Sequence, residues 1–286
     1  MADHFPRDSA IRRINSEPAV MAAAGRALVL QLAHPAVAHG VNDHSEFKRN
    51  PFTRLQGTME AVNAVVFGSA ELAERVGQRI RWIHSFITGP GYQANDPDNL
   101  LWVHATLVDS ALWAHETFVG PVPPAVAEEY YQQMKEVALV FGVPLEHNPE
   151  TLADFRAYVA DMVAGFELDD VARDLIGFIL RPTLPLRLHV PLDPVRRRFR
   201  LVTLGSLPEP IRAQLDEPWD DARQRRYERA VRDLRRVFRL TPRPVRTAPV
   251  SLSAPVLVAQ ARRTVRAWEQ KMAARGQSPS GTTTAA

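Results

Sequence analysis

Proline and glycine divide this chain into segments of helical periodicity, and that punctuation constrains its fold more than any other feature. Residues near 54 to 67, 70 to 88, 97 to 118, 124 to 142, 150 to 166 and 169 to 180 carry apolar side chains at i, i+3, i+4 and i+7. The breaks fall at Asn50-Pro51, Gly89-Pro90-Gly91, Asn95-Asp96-Pro97, Gly120-Pro121-Val122-Pro123-Pro124 and Gly142-Val143-Pro144, each dense in turn formers. Pro18 to Val41 reads as one long helix, and two more near 216 to 240 and 252 to 275 complete the body. Ser69, Asp96 and Asp169 stand where a helix N-cap is wanted. Four prolines between Arg181 and Pro194 interrupt a run of leucines, which predicts a loop packed on the core. No strand pattern, internal repeat or glycine-rich phosphate loop is present. The fold class expected is all-α, and dinucleotide and P-loop chemistry are disfavoured.

With 286 residues, 45% of them hydrophobic, the chain can bury a full core. We read residues 1–275 as a single all-helical domain and 276–286, small and polar, as a disordered tail. There are no cysteines. That excludes disulfides, thiolate metal sites, iron–sulfur clusters and a thiolate-ligated haem, so histidine, carboxylate and amide groups are the only metal ligands available. Met1 to Asn15 is charged throughout and lacks an apolar h-region, and no run of ~18 apolar residues follows. We expect a cytoplasmic protein without a transmembrane segment.

The net charge of +3 conceals a division. Residues 1 to 180 hold 13 Lys/Arg against 23 Asp/Glu, whereas 181 to 286 hold 22 against 9. Arg196-Arg197-Arg198 and a run from Arg223 to Arg239 account for much of the excess. Such a stretch can serve an anionic partner. It can equally be the solvated face of a helix whose buried stripe is Tyr227, Ala230, Val231, Leu234, Phe238 and Leu240, and we favour this reading. No nucleic-acid-binding signature accompanies the charge, so a nucleic-acid partner is not expected.

The histidines limit the metal chemistry further. His34, His39 and His44 are five residues apart, so on one helix successive side chains would point ~140° apart and could not chelate one ion. There is no H-E-x-x-H, no i, i+4 histidine pair and no Glu-x-x-His, which argues against a polynuclear carboxylate site. What remains is single histidines on separate apolar faces. His84 shares a face with Ile80, Ile83 and Ile87, His104 lies among Leu100, Leu101, Leu107 and Val108, and His34 among Leu30, Val37 and Ala38. That arrangement suits a planar haem wedged between helices with one axial imidazole, and equally suits three core histidines.

A succession of short motifs adds what spacing leaves open. In order they are Gln31-Leu32-Ala33-His34-Pro35, Gly40-Val41, His44-Ser45-Glu46-Phe47, Asn50 through Thr58, Val66-Phe67-Gly68, Val76 through His84, Tyr92 through Pro97 and Leu101 through Ser110. In order and spacing the succession closely resembles the MpaB-type oxygenase family, whose catalytic domain is shared with bacterial rubber oxygenase, the latex-clearing protein. The likeness is strong over residues 20 to 145 and rests beyond that on length and helical character.

The resemblance implies a globin-like helical core around a pocket for noncovalent haem b, with additional peripheral helices. It makes His84 the proximal ligand of the haem iron and Arg54 with Thr58, one helical turn apart, the distal polar pair. A cationic donor and a hydroxyl there can polarise dioxygen in an otherwise apolar site. Arg54 can alternatively serve a salt bridge or a haem propionate. His104 is the rival for the iron, its ordinary reading being a core histidine that fixes the helix carrying Asp109. Two departures stand out. Gly57 occupies the place of a lysine that can reach the iron in rubber oxygenase, so that the sixth position is expected to be open, water-filled or occupied by another group. The family's glutamate base has no secure counterpart, Glu46 being the nearest in sequence. The function implied is a haem b-dependent oxygenase that uses dioxygen on a hydrophobic, unsaturated substrate such as a prenyl or lipid chain, with an electron donor as a further partner. Rubber itself is not expected, because the chain shows no secretion signal. The alternatives are a haem carrier or sensor without turnover, or a helical interaction protein whose site has decayed.

Overall fold

A computed structural model describes residues 3–44, 51–181 and 186–276, with the backbone alone for 51–55 and 186–192. Of the expected tail, 276–286, only Gly276 is among the described residues, and 277–286 lie outside them. The fold is all-α. The first four helices are α1 (Ala10–Asn15), α2 (Ala19–Ala22), α3 (Ala24–Leu32) and α4 (Pro35–His44). The long helix expected from Pro18 to Val41 is therefore three helices. Pro35 explains the second break: it lacks an N–H and its ring pushes the preceding residue, His34, out of helical geometry, while suiting the first position of a new helix.

Helices α5 (Pro51–Phe67), α6 (Ala70–His84), α7 (Pro97–Ala114) and α8 (Pro124–Phe141) follow the sequence pattern closely. Between α6 and α7 a two-residue antiparallel pair, β1 (Thr88–Gly89) and β2 (Tyr92–Gln93), turns at Gly91, whose φ of +77° is open to glycine. A π-helical turn, His115–Val119, extends α7, and Gly142 in the left-handed region ends α8 with the Val143 N–H donating to the Ala138 carbonyl at 3.0 Å. Then come α9 (Leu152–Gly165), α10 (Asp170–Leu180), α11 (Leu186–Ser206), α12 (Glu209–Arg212), α13 (Asp221–Leu240) and α14 (Arg243–Ala274). The three expected caps are present: Ser69, Asp96 and Asp169 each accept a backbone N–H of the first turn.

Prolines in the second half depart from the expectation. Helix α11 runs through Pro191 and Pro194 where a loop was expected, and α14 starts nine residues early and contains Pro249 and Pro255. Each proline forfeits one backbone hydrogen bond, but the helices on either side of it are packed against neighbours, α11 on α13 and α3, and α14 on α5 and α6.

Helix α7 is buried on nearly every side, as an apolar pattern without a polar face requires. It packs against α3 and α8. Trp102 is fully enclosed, its indole N–H donating to the Leu30 carbonyl of α3 at 2.9 Å and its ring meeting Phe166 edge-on at 4.9 Å. Near the other end of α7, Asp109 accepts from buried Arg26 of α3 at 2.5 Å, and the same guanidinium donates to the Ser206 carbonyl of α11 and lies over Trp113. Replacing Trp102 with Ala is expected to cost about 3–5 kcal/mol, as buried aromatic truncations do, measured by urea denaturation. A cost below about 1 kcal/mol would show that α7 is not the packing centre.

Candidate functional site

His84 is the last residue of α6, and two contacts fix where that end lies. Gly77 lets α6 approach α8 so closely that a Cβ there would meet the Val140 carbonyl oxygen at 2.2 Å. Arg81 donates to that same carbonyl, while its own carbonyl accepts from Asn95 at 2.8 Å. The helix stops at His84, four residues before the expected end, because the chain turns into the hairpin. The imidazole is consequently half-buried at a cavity wall rather than sunk into the core.

The cavity encloses about 220 Å³ between α4, the end of α6, the hairpin and the start of α7. Its apolar walls include Val37, Val41, Ile87, Leu100 and Val103, and its polar groups include His84 and His44. The rim carries a hydrogen-bonded chain. His44 Nε2 lies 3.1 Å from both the Thr88 carbonyl and the Tyr92 hydroxyl, and the Tyr92 hydroxyl donates to Asp43 at 2.8 Å. Because Tyr92 spends its proton on Asp43, the consistent tautomer has His44 Nε2 protonated and donating. Burial first, then the bond to Asp43, raises the Tyr92 hydroxyl above its ordinary pKa. The Tyr92 bond, followed by one from Asn42, lowers the Asp43 carboxyl. Further along α4, His39 Nε2 meets Asp169, the cap of α10, at 2.9 Å. Tyr92 and Asp43 were not singled out from sequence as site residues. Tyr92 directly after Gly89-Pro90-Gly91 was the available signal, an aromatic following a turn.

The other expected site residues are placed as follows. Arg54 lies on the first turns of α5, and its side chain falls outside the described residues. Thr58, one turn on, is exposed on α5 and is not part of the His84 cavity wall. Gly57 lines a separate, smaller cavity between α5, α6 and α14, and a Cβ there would meet nothing within 4 Å. Glu46 and residues 45–50, which lead from the cavity rim at His44 to the start of α5, lie outside the described residues. His34 sits in the break between α3 and α4, edge-on to Phe166 at 5.6 Å. Burial lowers its pKa against the opposing pull of Asp96 and Asp98. His104 is buried between α7 and α8, away from the cavity, and hydrogen-bonded to the Met134 backbone. Its helix is held at Asp109 by Arg26, which sequence reasoning did not foresee.

Among the described residues no three His, Asp or Glu side chains gather to cage a bare ion. A macrocycle brings four nitrogens of its own and asks the protein for one imidazole and apolar walls. In donor type, His84 on Val37, Val41, Ile87 and Leu100 meets that requirement.

The comparisons with known proteins identify the class. The family model described as ER-bound oxygenase mpaB/B'/rubber oxygenase, catalytic domain, matches residues 11–240. The chain belongs to this family, and the match reaches well past residue 145, where recognisable motifs end. Uncharacterised proteins of Mycobacterium bovis and Mycobacterium tuberculosis are each 30% identical to it over 232 residues, covering 75% of this chain and 87% of theirs. No solved structure matches the chain. Among the described residues no helix is long and apolar enough to cross a membrane.

Burial pushes the pKa of His104 down to about 4, against the bond to Met134, which raises it. In the unfolded chain that imidazole takes up a proton near pH 6.5. The stability tied to its neutral form is therefore complete above pH 6.5 and is lost as pH falls toward 4. Between pH 7 and 5 the protein should lose about 2 kcal/mol on this account, and His104→Leu should lose that much less over the same interval, measured by urea denaturation. Identical pH dependence in the two proteins would show that His104 is not desolvated in the fold.

Proposed function

We propose that this protein is a haem b-dependent oxygenase that uses dioxygen on a hydrophobic, unsaturated substrate such as a prenyl or lipid chain. The observation that carries the reading is membership of an oxygenase catalytic-domain family together with one imidazole, His84, presented to an apolar cavity. The haem, when bound, supplies the centre at which dioxygen is taken up and reduced, and an external electron donor fits that chemistry.

The residues of the chain divide the remaining work. His84 would supply the imidazole nitrogen that holds the haem iron, on a helix anchored by the crossing of α6 over α8 at Gly77. Val37, Val41, Ile87, Leu100 and Val103 exclude water and provide surface for a nonpolar substrate. Arg54 and Thr58 form the distal pair by family resemblance. In sequence only 45–50, outside the described residues, separate the cavity rim at His44 from the helix that bears them. His44, Tyr92 and Asp43 hold a proton chain at the rim, so a proton can be relayed between the cavity and Asp43, which is exposed. His104, enclosed and engaged by Met134, is the structural histidine of α7.

Haemin titration separates the two histidines. His84→Ala should lose the Soret band of the bound cofactor or convert it to that of a weakly held form, while His104→Ala keeps it. The reverse pattern would move the iron ligand to His104. Arg54→Ala should keep the band but lose about 10²–10³-fold in substrate-dependent oxygen consumption, the usual effect of deleting one preorganised donor. Full turnover in that variant would reduce Arg54 to a structural role.

A further inference from the structure

The arginine-rich second half builds a cavity of its own. Between the C-terminal end of α10, helix α11 and helix α13 lies a space of about 640 Å³, within the ~300–1,000 Å³ of small-molecule sites. Its apolar surface comes from Leu180, Leu201, Leu204 and Trp219. Its charged surface comes from Arg181, Arg196, Arg197, Arg200, Arg223 and Arg226, with the carboxylate of Asp193 among them.

These arginines are more than a solvated helix face. Arg181 of the α10 terminus, Arg200 of α11 and Arg223 of α13 converge on one carboxylate, Glu217, whose side chain is only 5% exposed. Arg181 approaches it at 2.6 Å and Arg223 at 3.6 Å, and Arg200 donates to the other oxygen of the pair. A buried acid thus gathers guanidinium groups from three separate helices around one space. Arg197 and Arg196 share Asp193, at 2.7 and 3.8 Å, and Arg226 has no carboxylate partner among the described residues. Six guanidinium groups against two carboxylates leave a surplus of four positive charges on the cavity. Guanidinium does not release its proton in proteins, so titration cannot relieve that surplus. Its planar fork is suited to phosphate oxygens, which it binds with two parallel hydrogen bonds.

We propose that this cavity binds an organic diphosphate or polyphosphate. Its anionic end is held by Arg197, Arg200, Arg223 and Arg226, and its apolar or aromatic part rests on Leu201, Leu204 and Trp219. A carboxylate or a phosphate monoester brings only one to about two negative charges and would leave at least half of the surplus uncompensated. The apolar floor excludes a purely ionic occupant as the best fit. The site is distinct from the His84 cavity. Helix α10 begins beside α4 through the Asp169–His39 bond and reaches Arg181 after its 11 residues, about 16 Å on. The proposal stands independently of the oxygenase reading.

Calorimetric titration of the full chain without added haemin tests it, at fixed ionic strength, with inorganic pyrophosphate, geranyl diphosphate, ADP and, as control, sulfate. Saturable one-site binding of pyrophosphate is expected, at least tenfold tighter than sulfate, with one of the two organic diphosphates tighter again and so distinguishing a terpenoid from a nucleotide source. Arg226→Glu and Arg197→Glu, both at exposed positions, should each weaken pyrophosphate at least tenfold with an unchanged melting temperature. Trp219→Ala should weaken the organic ligand and spare pyrophosphate. Pyrophosphate no tighter than sulfate, or unaffected by both arginine variants, would overturn the site. Organic diphosphates no tighter than pyrophosphate would overturn the role of the apolar floor.

Discussion

The burial of α7 is the constraint on which the rest of this structure depends. A helix apolar on nearly every side can be stable only at the centre of a bundle, so α3 and α8 must flank it and the remaining helices must close around those. Its polar attachments are few: Trp102 donates to the Leu30 carbonyl, Asp109 accepts from Arg26, and the Met134 backbone meets His104, whose Nε2, like the Ser110 hydroxyl, is buried without a partner among the described residues. Unmade, such bonds inside an apolar core would be costly. The His84 cavity forms at the N-terminal end of this helix, where Leu100 and Val103 pass out of the packed centre and meet α4 and the hairpin.

Much of this was legible in the sequence, for reasons that can be given residue by residue. The caps Ser69, Asp96 and Asp169 and the stop at Gly142 act through local hydrogen bonds, so they fixed the ends of α6, α7, α10 and α8 to within a few residues. The prolines were harder to read because the same ring does opposite things in different settings. Pro35 splits a helix that periodicity joined, while Pro191, Pro194, Pro249 and Pro255 lie inside helices that tertiary packing sustains. Leu240, expected in a buried stripe, is 82% exposed, since α13 ends there and the chain turns into α14. Spacing and the family motif singled out His84, but its position at a cavity edge follows from the hairpin, which two-residue strands do not announce. Tyr92 and Asp43 meet across 49 residues, and no local pattern encodes that contact.

Charge is distributed unevenly between two cavities. The first 180 residues, net negative, build the apolar cavity with His84 in its wall and His44 at its rim, and the remainder, net positive, concentrates guanidinium groups around a second space at the far end of α10. Buried carboxylates organise the arginines in that half: Glu217 collects three, and Glu17 holds Arg246 and Arg243 at the start of α14. In each case one acid orders several cations, which is economical in buried charge and leaves positive potential directed outward.

The central claim is that His84 presents its imidazole to a haem in an oxygenase of the mpaB and rubber oxygenase family. An absorption spectrum of the purified full chain, as isolated and after incubation with haemin, tests it most directly. The account predicts a Soret band that saturates at one haem per chain and shifts when the reduced protein meets dioxygen. A colourless protein that takes up no haemin would contradict it.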